Sequence, residues 1–230
     1  MVTVDQERLK AAWAKRADGQ VGLSSAVYQV LADALLTGDI PAGSRIVEND
    51  FVDLFSVSRT PIREAVLRLK TEGYLTRTDD GRLVASEITA EDIVDVYDVR
   101  EVLTALAARL AAERAHAPSV ARMRAVHRRF ADAVEARDPV AMFNTNIAFH
   151  EEIFRAAGNT FLLELGQQVH TRVRRFPGTT FAQEHRGGFV LEEHAQLIDA
   201  IEARDPELAE SIAHAHVEHA RQSRITQLWG

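Results

Sequence analysis

Cysteine is absent from this 230-residue chain, proline occurs only six times, and aromatic residues make up 7 %. The first absence excludes disulfides, thiolate metal sites and cysteine nucleophiles together. Six prolines and twelve glycines are too few for a collagen-like or low-complexity chain. No stretch approaches 18 uncharged apolar residues, so no membrane span is expected. The first twenty residues show no apolar core followed by small residues; no secretory signal is expected, and the cytoplasm is the expected compartment. What is present is a globular composition, 46 % hydrophobic and 27 % charged, with a formal net charge of −7. An acidic total argues against a nucleic-acid partner, unless the charges are unevenly placed. Residues 1–86 carry 11 basic and 12 acidic groups, and residues 87–230 carry 16 and 22. Histidine is the uneven residue: all nine lie at position 116 or later.

The punctuation also changes near residue 86. Residues 1–22 are polar without a sustained period and read as a flexible N-terminal arm. The spacing of Val27, Val30, Leu31 and Ala34 predicts a helix over 24–37. A second, short helix is expected over 48–55 and a third over 58–72, with Ser58 as its N-cap, Pro61 in its first turn and Gly73 ending it. Residues 75–78 and 82–85 read as two strands around the Asp79-Asp80-Gly81 turn. The order helix, helix, tight turn, helix, hairpin is a winged helix-turn-helix. Beyond residue 86 the pattern is mainly α, with helices expected over about 89–115, 118–137, 139–157, 160–175, 187–203 and 206–228. Pro139 and Pro206 each follow an Asp, as helix starts do. Short connections between six helices predict an antiparallel helical bundle.

In the third helix, Ile62, Val66 and Leu69 share an inward face, and Arg59, Thr60 and Arg63 point the other way from its first turns. Residues 59–77 hold five basic groups against Glu64 and Glu72, a local +3 inside an acidic chain. Arginine forks onto guanine edges or phosphates, and the start of a recognition helix is the part that enters a major groove. The runs GDIPAGSRIVE (38–48), VSRTPIREAV (57–66) and LKTEGYL (69–75) resemble those of GntR-type transcription regulators. The resemblance implies a homodimer on an inverted repeat of double-stranded DNA, with contacts from Arg59, Thr60, Pro61 and Arg63 and a wing tip reaching the minor groove. The tip here is acidic, which leaves Gly81 and Arg82 as its expected contacts.

On the helix over 139–157, Asn146 and His150 are four residues apart and project from one face. His194 and His216 lie on the last two helices. Three imidazoles and an amide oxygen could meet in a bundle core and hold a divalent metal; spacing alone does not make this case, because a lone helical histidine is more often on the surface. His116, His127, His185, His214 and His219 read as surface residues. Arg100 shares a face with Ile93, Tyr97, Thr104 and Ala107, while Val96, Val99, Leu103, Leu106 and Leu110 form a second apolar stripe. Such a helix is expected to be central, and an arginine buried on it needs an anion, either a carboxylate ligand or an acidic residue of the bundle.

The stretches YDVREVL (97–103), NIAFH (146–150) with AGN (157–159), and Glu193-His194 followed by His216 are similar to the all-α FCD domain of the FadR subfamily. That similarity implies an effector-binding and dimerisation domain over 87–230, following an arm over 1–22 and the winged helix-turn-helix over 23–86. It also implies a metal held by residue 146, His150, His194 and His216, with zinc first and nickel or another transition metal next. Metal-binding members carry Asp where this chain has Asn146. Effector contacts are expected from Arg100, Asn159 and His170. The function expected is a ligand-responsive repressor that senses a small carboxylate and is not an enzyme; a His-liganded metal-dependent hydrolase is the alternative.

Overall fold

A computed structural model describes residues 4–16, 22–176 and 178–229. They form two compact units, Met1–Thr89 with Arg174–Gly178, and Ala90–Val173 with Thr179–Gly230.

In the first unit, helices α1 (Gln6–Ala14), α2 (Leu23–Thr37), α3 (Glu48–Phe55) and α4 (Arg59–Thr71) precede strands β1 (Leu75–Arg77) and β2 (Leu83–Ala85). The expected inward faces are inward: Val27, Val30, Leu31 and Ala34 on α2, and Ile62, Val66 and Leu69 on α4, are buried in one core. Gly38 closes α2 at φ +84° and Ser56 makes the α3–α4 turn at φ +52°, left-handed positions that end one helix and re-aim the chain into the next. Ser58 stands at the α4 N-cap with no side-chain hydrogen bond there, so the cap expected from it is positional only.

Two features depart from the sequence reading. Residues 6–14, expected within a flexible arm, form α1. Its Leu9 is buried, Trp13 stacks on Phe55 with ring centroids 5.0 Å apart, and Arg8 pairs with Asp39 at 2.9 Å. Nine residues are too few to hold a helix alone; these tertiary contacts supply the difference. The rest of that arm, 1–3 and 17–21, lies outside the described residues. The hairpin also gains an edge. The amides of Gly43 and Ile46 donate to the carbonyls of Ala85 and Leu83, and Ala85 donates back to Ser44, each at 2.9 Å.

The second unit holds α5 (Ala90–Arg114), α6 (Ala117–Glu135), α7 (Pro139–Ala156), α8 (Thr160–Arg174), a single 3-10 turn at Thr180–Ala182, α9 (Arg186–Glu202) and α10 (Pro206–Trp229). The proline starts are as expected: Asp138 accepts from the amides of Val140 and Ala141 at 3.0 and 2.9 Å, and Asp205 accepts from Leu208 at 3.0 Å. Buried Ala105, Ala107, Ala108, Ala111 and Ala112 on α5, with Ala209 and Ala213 on α10, let these two long helices pack closely. The two stripes of α5 have different fates. Ile93, Tyr97, Arg100, Thr104 and Ala107 are buried. Of the second stripe, Leu103 and Leu110 pack against the core and Val96 is half-buried, whereas Val99 and Leu106, with neighbouring Val102, are 52, 39 and 66 % exposed. The expectation of a helix covered on both sides is therefore met only in part among the described residues.

Candidate metal centre and nucleic-acid interface

His150 on α7, His194 on α9 and His216 on α10 converge in the core of the second unit. Each offers a ring nitrogen within 4.8 Å of the others. All three are buried, and Asn146, one turn before His150, is buried beside them. The Nε2 atoms of His150 and His216 are 3.1 Å apart, a spacing that two nitrogens on one zinc at about 2.0–2.1 Å would share. His194 is held in a sleeve of rings, stacked on Phe149 at 3.9 Å between centroids with Phe130 at 5.1 Å.

Polar satisfaction tests whether these residues fit a metal. Among the described residues, Asn146 Oδ1, His150 Nδ1 and both ring nitrogens of His194 are buried without a hydrogen-bond partner. Each such atom costs about 1–3 kcal/mol; one ion held by Asn146 Oδ1 and one nitrogen of each ring would satisfy Asn146 and one nitrogen of His194 together. Burial pushes His150 and His194 well below the ordinary histidine range, so both are neutral imidazoles with lone pairs to give. The donors fit a borderline cation such as zinc.

The structure adds an acidic residue to which the sequence reading assigned no role. Glu193 on α9 accepts from His216 Nδ1 at 2.8 Å and from His219 Nδ1 at 2.7 Å. Burial alone would raise its pKa, but the His216 hydrogen bond turns the net shift downward and keeps the carboxylate ionised. A proton fixed on Nδ1 of His216 leaves its Nε2 lone pair facing the cluster, the outer support that metal-bound imidazoles carry. Glu193 adjoins His194 in the chain, but its partners lie 23 and 26 residues on, so spacing gave no sign of it. His219 is exposed, as expected, and reaches Glu193 from the surface. His127 is half-buried, with its ring 6.2 Å from that of His194.

Arg100 is 3 % exposed and, among the described residues, forms no ion pair; its guanidinium carbon sits 5.3 Å from the Tyr97 ring. It lines a small chamber with Asn146, His216, Thr180, Arg186 and Arg224. His170 is buried near the triad, its ring 6.0 Å from that of His150. Asn159 is not brought to the cluster. It is exposed, and its Oδ1 accepts from Leu162 at 3.0 Å, so the amide serves the start of α8.

Asn146 offers a neutral oxygen, a weaker zinc ligand than carboxylate. Asn146→Asp is expected to tighten zinc retention by about tenfold or more, measured by competition with a chelating dye. Unchanged retention would mean that residue 146 is not a ligand.

On the first unit, Arg59, Thr60 and Arg63 are exposed on the opening turns of α4, and among the described residues the two arginines form no ion pair. Pro61 is buried, which corrects its expected place at the interface: it shapes the first turn and presents no surface. Arg68 is committed elsewhere, paired with Glu72 at 2.8 Å and stacked 3.6 Å over the Tyr28 ring. At the wing tip Gly81 adopts φ +81°. Arg82 is exposed but paired with Asp80 at 3.1 Å, so the acidic tip already uses part of the charge that would meet a phosphate.

A winged head with free arginines at its recognition helix, joined to an all-helical unit, is the design of a DNA-binding transcription regulator. The gntR family of bacterial regulatory proteins matches residues 23–84, and the FCD domain matches residues 95–219, over half of the chain. The chain belongs to the GntR family of regulators that carry an FCD domain. The probable D-xylose utilization operon transcriptional repressor of Paenarthrobacter nicotinovorans is 28 % identical over 200 residues, 85 % of each chain. The gluconate operon transcriptional repressor of Bacillus licheniformis is 25 % identical over 202 residues, covering 85 % of this chain and 82 % of that one. The solved structure of Escherichia coli McbR/YncC covers 90 % of this chain and 99 % of its own at a TM-score of 0.71 and 20 % identity, a likeness of fold. These families and relatives are regulators of transcription, not enzymes, and the hydrolase alternative finds no support among them.

Proposed function

We propose that this chain is a metal-dependent, carboxylate-responsive repressor that binds an inverted-repeat operator as a homodimer. The observation that carries the reading is the convergence of three buried imidazoles and a buried amide oxygen beside the buried Arg100, whose Nε has no hydrogen-bond partner among the described residues. Asn146, His150, His194 and His216 would hold a divalent metal, zinc first, which supplies a Lewis-acid site for an anion. Arg100 would take the effector carboxylate in a fork of charge-assisted hydrogen bonds. His170 flanks the site, and Glu193 holds His216 in its metal-binding tautomer. Relatives named as operon repressors support repression as the sign of control. Effector binding would then favour one placement of the two heads over another and change their fit to half-sites about one helical turn apart. On each head Arg59, Thr60 and Arg63 would meet the major groove, with Gly81 and Arg82 at the wing.

The exposed stripe of α5 supports the dimer. Val99, Val102 and Leu106 fall on one face, with Asp95 at one end and Arg109 at the other by the helical repeat. Asp95 and Arg109 are each seven residues from Val102, so antiparallel pairing of two copies about Val102 sets each Asp95 opposite the partner's Arg109. That is the self-complementarity a two-fold interface requires. Native mass spectrometry of the purified protein is expected to give a dimer with one metal per subunit, and Val102→Lys a monomer that keeps its metal. A metal-free wild-type monomer would overturn the proposal, and a Val102→Lys dimer would remove α5 from the interface.

A further inference from the structure

The chamber beside Arg100 has a volume of about 20 Å³, room for about one water molecule. An organic acid cannot lie wholly inside it. A second space adjoins it, a surface groove of about 890 Å³ lined by Val134, Pro139, Met142, Phe181, Gly188 and Phe189 among others. Three elements form the partition, and each turns neighbouring residues to opposite sides. On α7, Met142 faces the groove while Phe143 and Asn146 face the chamber. On the 3-10 turn, Ala182 faces the groove, Thr180 the chamber, and Phe181 lines both. At the start of α9, the N-cap His185 and Gly187 face the groove while Arg186 and Val190 face the chamber.

Arg186 stands on the chamber side of this partition, close behind the groove wall. It is 7 % exposed, and its guanidinium carbon lies 5.6 Å from the ring of Phe189 on the groove wall. Its Nη1 is 3.9 Å from Glu193, a loose approach, and its Nε is buried without a hydrogen-bond partner among the described residues. A carboxylate entering past Phe181 would meet Arg186 before Arg100.

We propose that the groove is the outer compartment of the effector site and takes the apolar body of an aromatic or long-chain aliphatic carboxylic acid whose head group reaches Arg186 and Arg100. The inference rests on the carboxylate-sensing reading above and narrows it. The floor of Val134, Pro139, Met142 and Phe181 would strand the hydroxyls of a sugar acid without partners. The groove carries charge of both signs, Arg137 as well as Glu184 and Glu192, so its apolar floor, more than its charge, selects the ligand body. A cleft that is mostly apolar, with a few convergent polar groups at its inner end, is the ordinary form of a small-molecule site.

Gly188 supplies the test. It lines the groove, lies within α9, and a Cβ added there meets nothing within 4 Å. Gly188→Leu therefore narrows the groove without disturbing the chamber. Calorimetric titrations of the full-length protein, metal bound as isolated, would compare acetate, D-gluconate, octanoate and 4-phenylbutyrate. Octanoate and 4-phenylbutyrate are expected to bind at least about tenfold more tightly than acetate or gluconate, given the apolar surface they remove from water. In Gly188→Leu that advantage is expected to fall to within about twofold, with acetate unchanged. Gluconate matching octanoate, or an advantage that survives Gly188→Leu, would overturn the groove assignment and leave carboxylate sensing standing. If none of the four acids binds, or if Arg100→Ala binds them all as wild type does, the sensing reading fails as well.

Discussion

Replacing His150 by alanine is expected to abolish stable metal binding and, with it, the response of the operator complex to effector, while leaving affinity for DNA unchanged. His150 Nε2 faces His216 Nε2 at 3.1 Å, and its ring lies edge-on to that of His194 at 5.8 Å between centroids, so its removal opens the middle of the donor set. Losing even an outer support of a metal ligand costs roughly 10–100-fold in affinity; losing the ligand itself is expected to exceed that. Glu193→Gln supplies the graded comparison. It keeps the shape but weakens the hold on His216 Nδ1, and is expected to fall within that roughly 10–100-fold range. The fold should survive His150→Ala, because burial already disfavours a charged imidazole there and the surrounding core of Phe149, Ile153 and Leu197 remains packed. A ligand that binds only the folded state raises its melting temperature, so a chelator should lower Tm in the wild type and leave it unchanged in His150→Ala. Metal analysis after dialysis, together with operator titrations with and without effector, checks the prediction. One metal per subunit retained by His150→Ala would remove this residue from the site.

The parts of this structure that were legible in sequence share one property: their signal lies within a single element. Asp138 before Pro139 and Asp205 before Pro206 mark helix starts by local capping chemistry, and both starts are where they were expected. The inward face of α4 follows from the spacing of Ile62, Val66 and Leu69 alone. What was not legible depends on contacts across the chain. Helix α1 is secured by Leu9 and Trp13 meeting a core built mostly from later residues. The third edge of the hairpin involves residues 43–46, which carry no alternating pattern. Glu193 is adjacent to His194, yet consecutive residues on a helix point about 100° apart, so only the arrival of α10 reveals its role. The second stripe of α5 was visible as apolar, but periodicity states that a face is to be covered and not by what.

Arg63→Ala is expected to cost about 1–3 kcal/mol per half-site, the range for one bidentate arginine–base contact, which is on the order of 10–100-fold at each half-site. Arg63 follows Arg59 by one turn on α4, and both are exposed without an ion pair among the described residues, so neither has to abandon a protein partner to meet DNA. Arg68 provides the contrast on the same helix. Its guanidinium is engaged by Glu72 and stacked on Tyr28, and Arg68→Ala is expected to weaken DNA binding far less than Arg63→Ala. The basic balance read from sequence over 59–77 therefore overstates the charge available, and position, more than count, identifies the reading residues. A duplex selected from a random pool by the wild-type protein would serve as operator, titrated by fluorescence anisotropy at several salt concentrations. If Arg63 reads a base, its loss should reduce operator binding much more than random-duplex binding, at little change in salt slope; a phosphate contact would weaken both alike and reduce the slope by about one. Metal content and Tm should match the wild type, because Arg63 belongs to the first unit and touches neither core. Operator binding by Arg63→Ala at wild-type strength would displace α4 as the recognition helix.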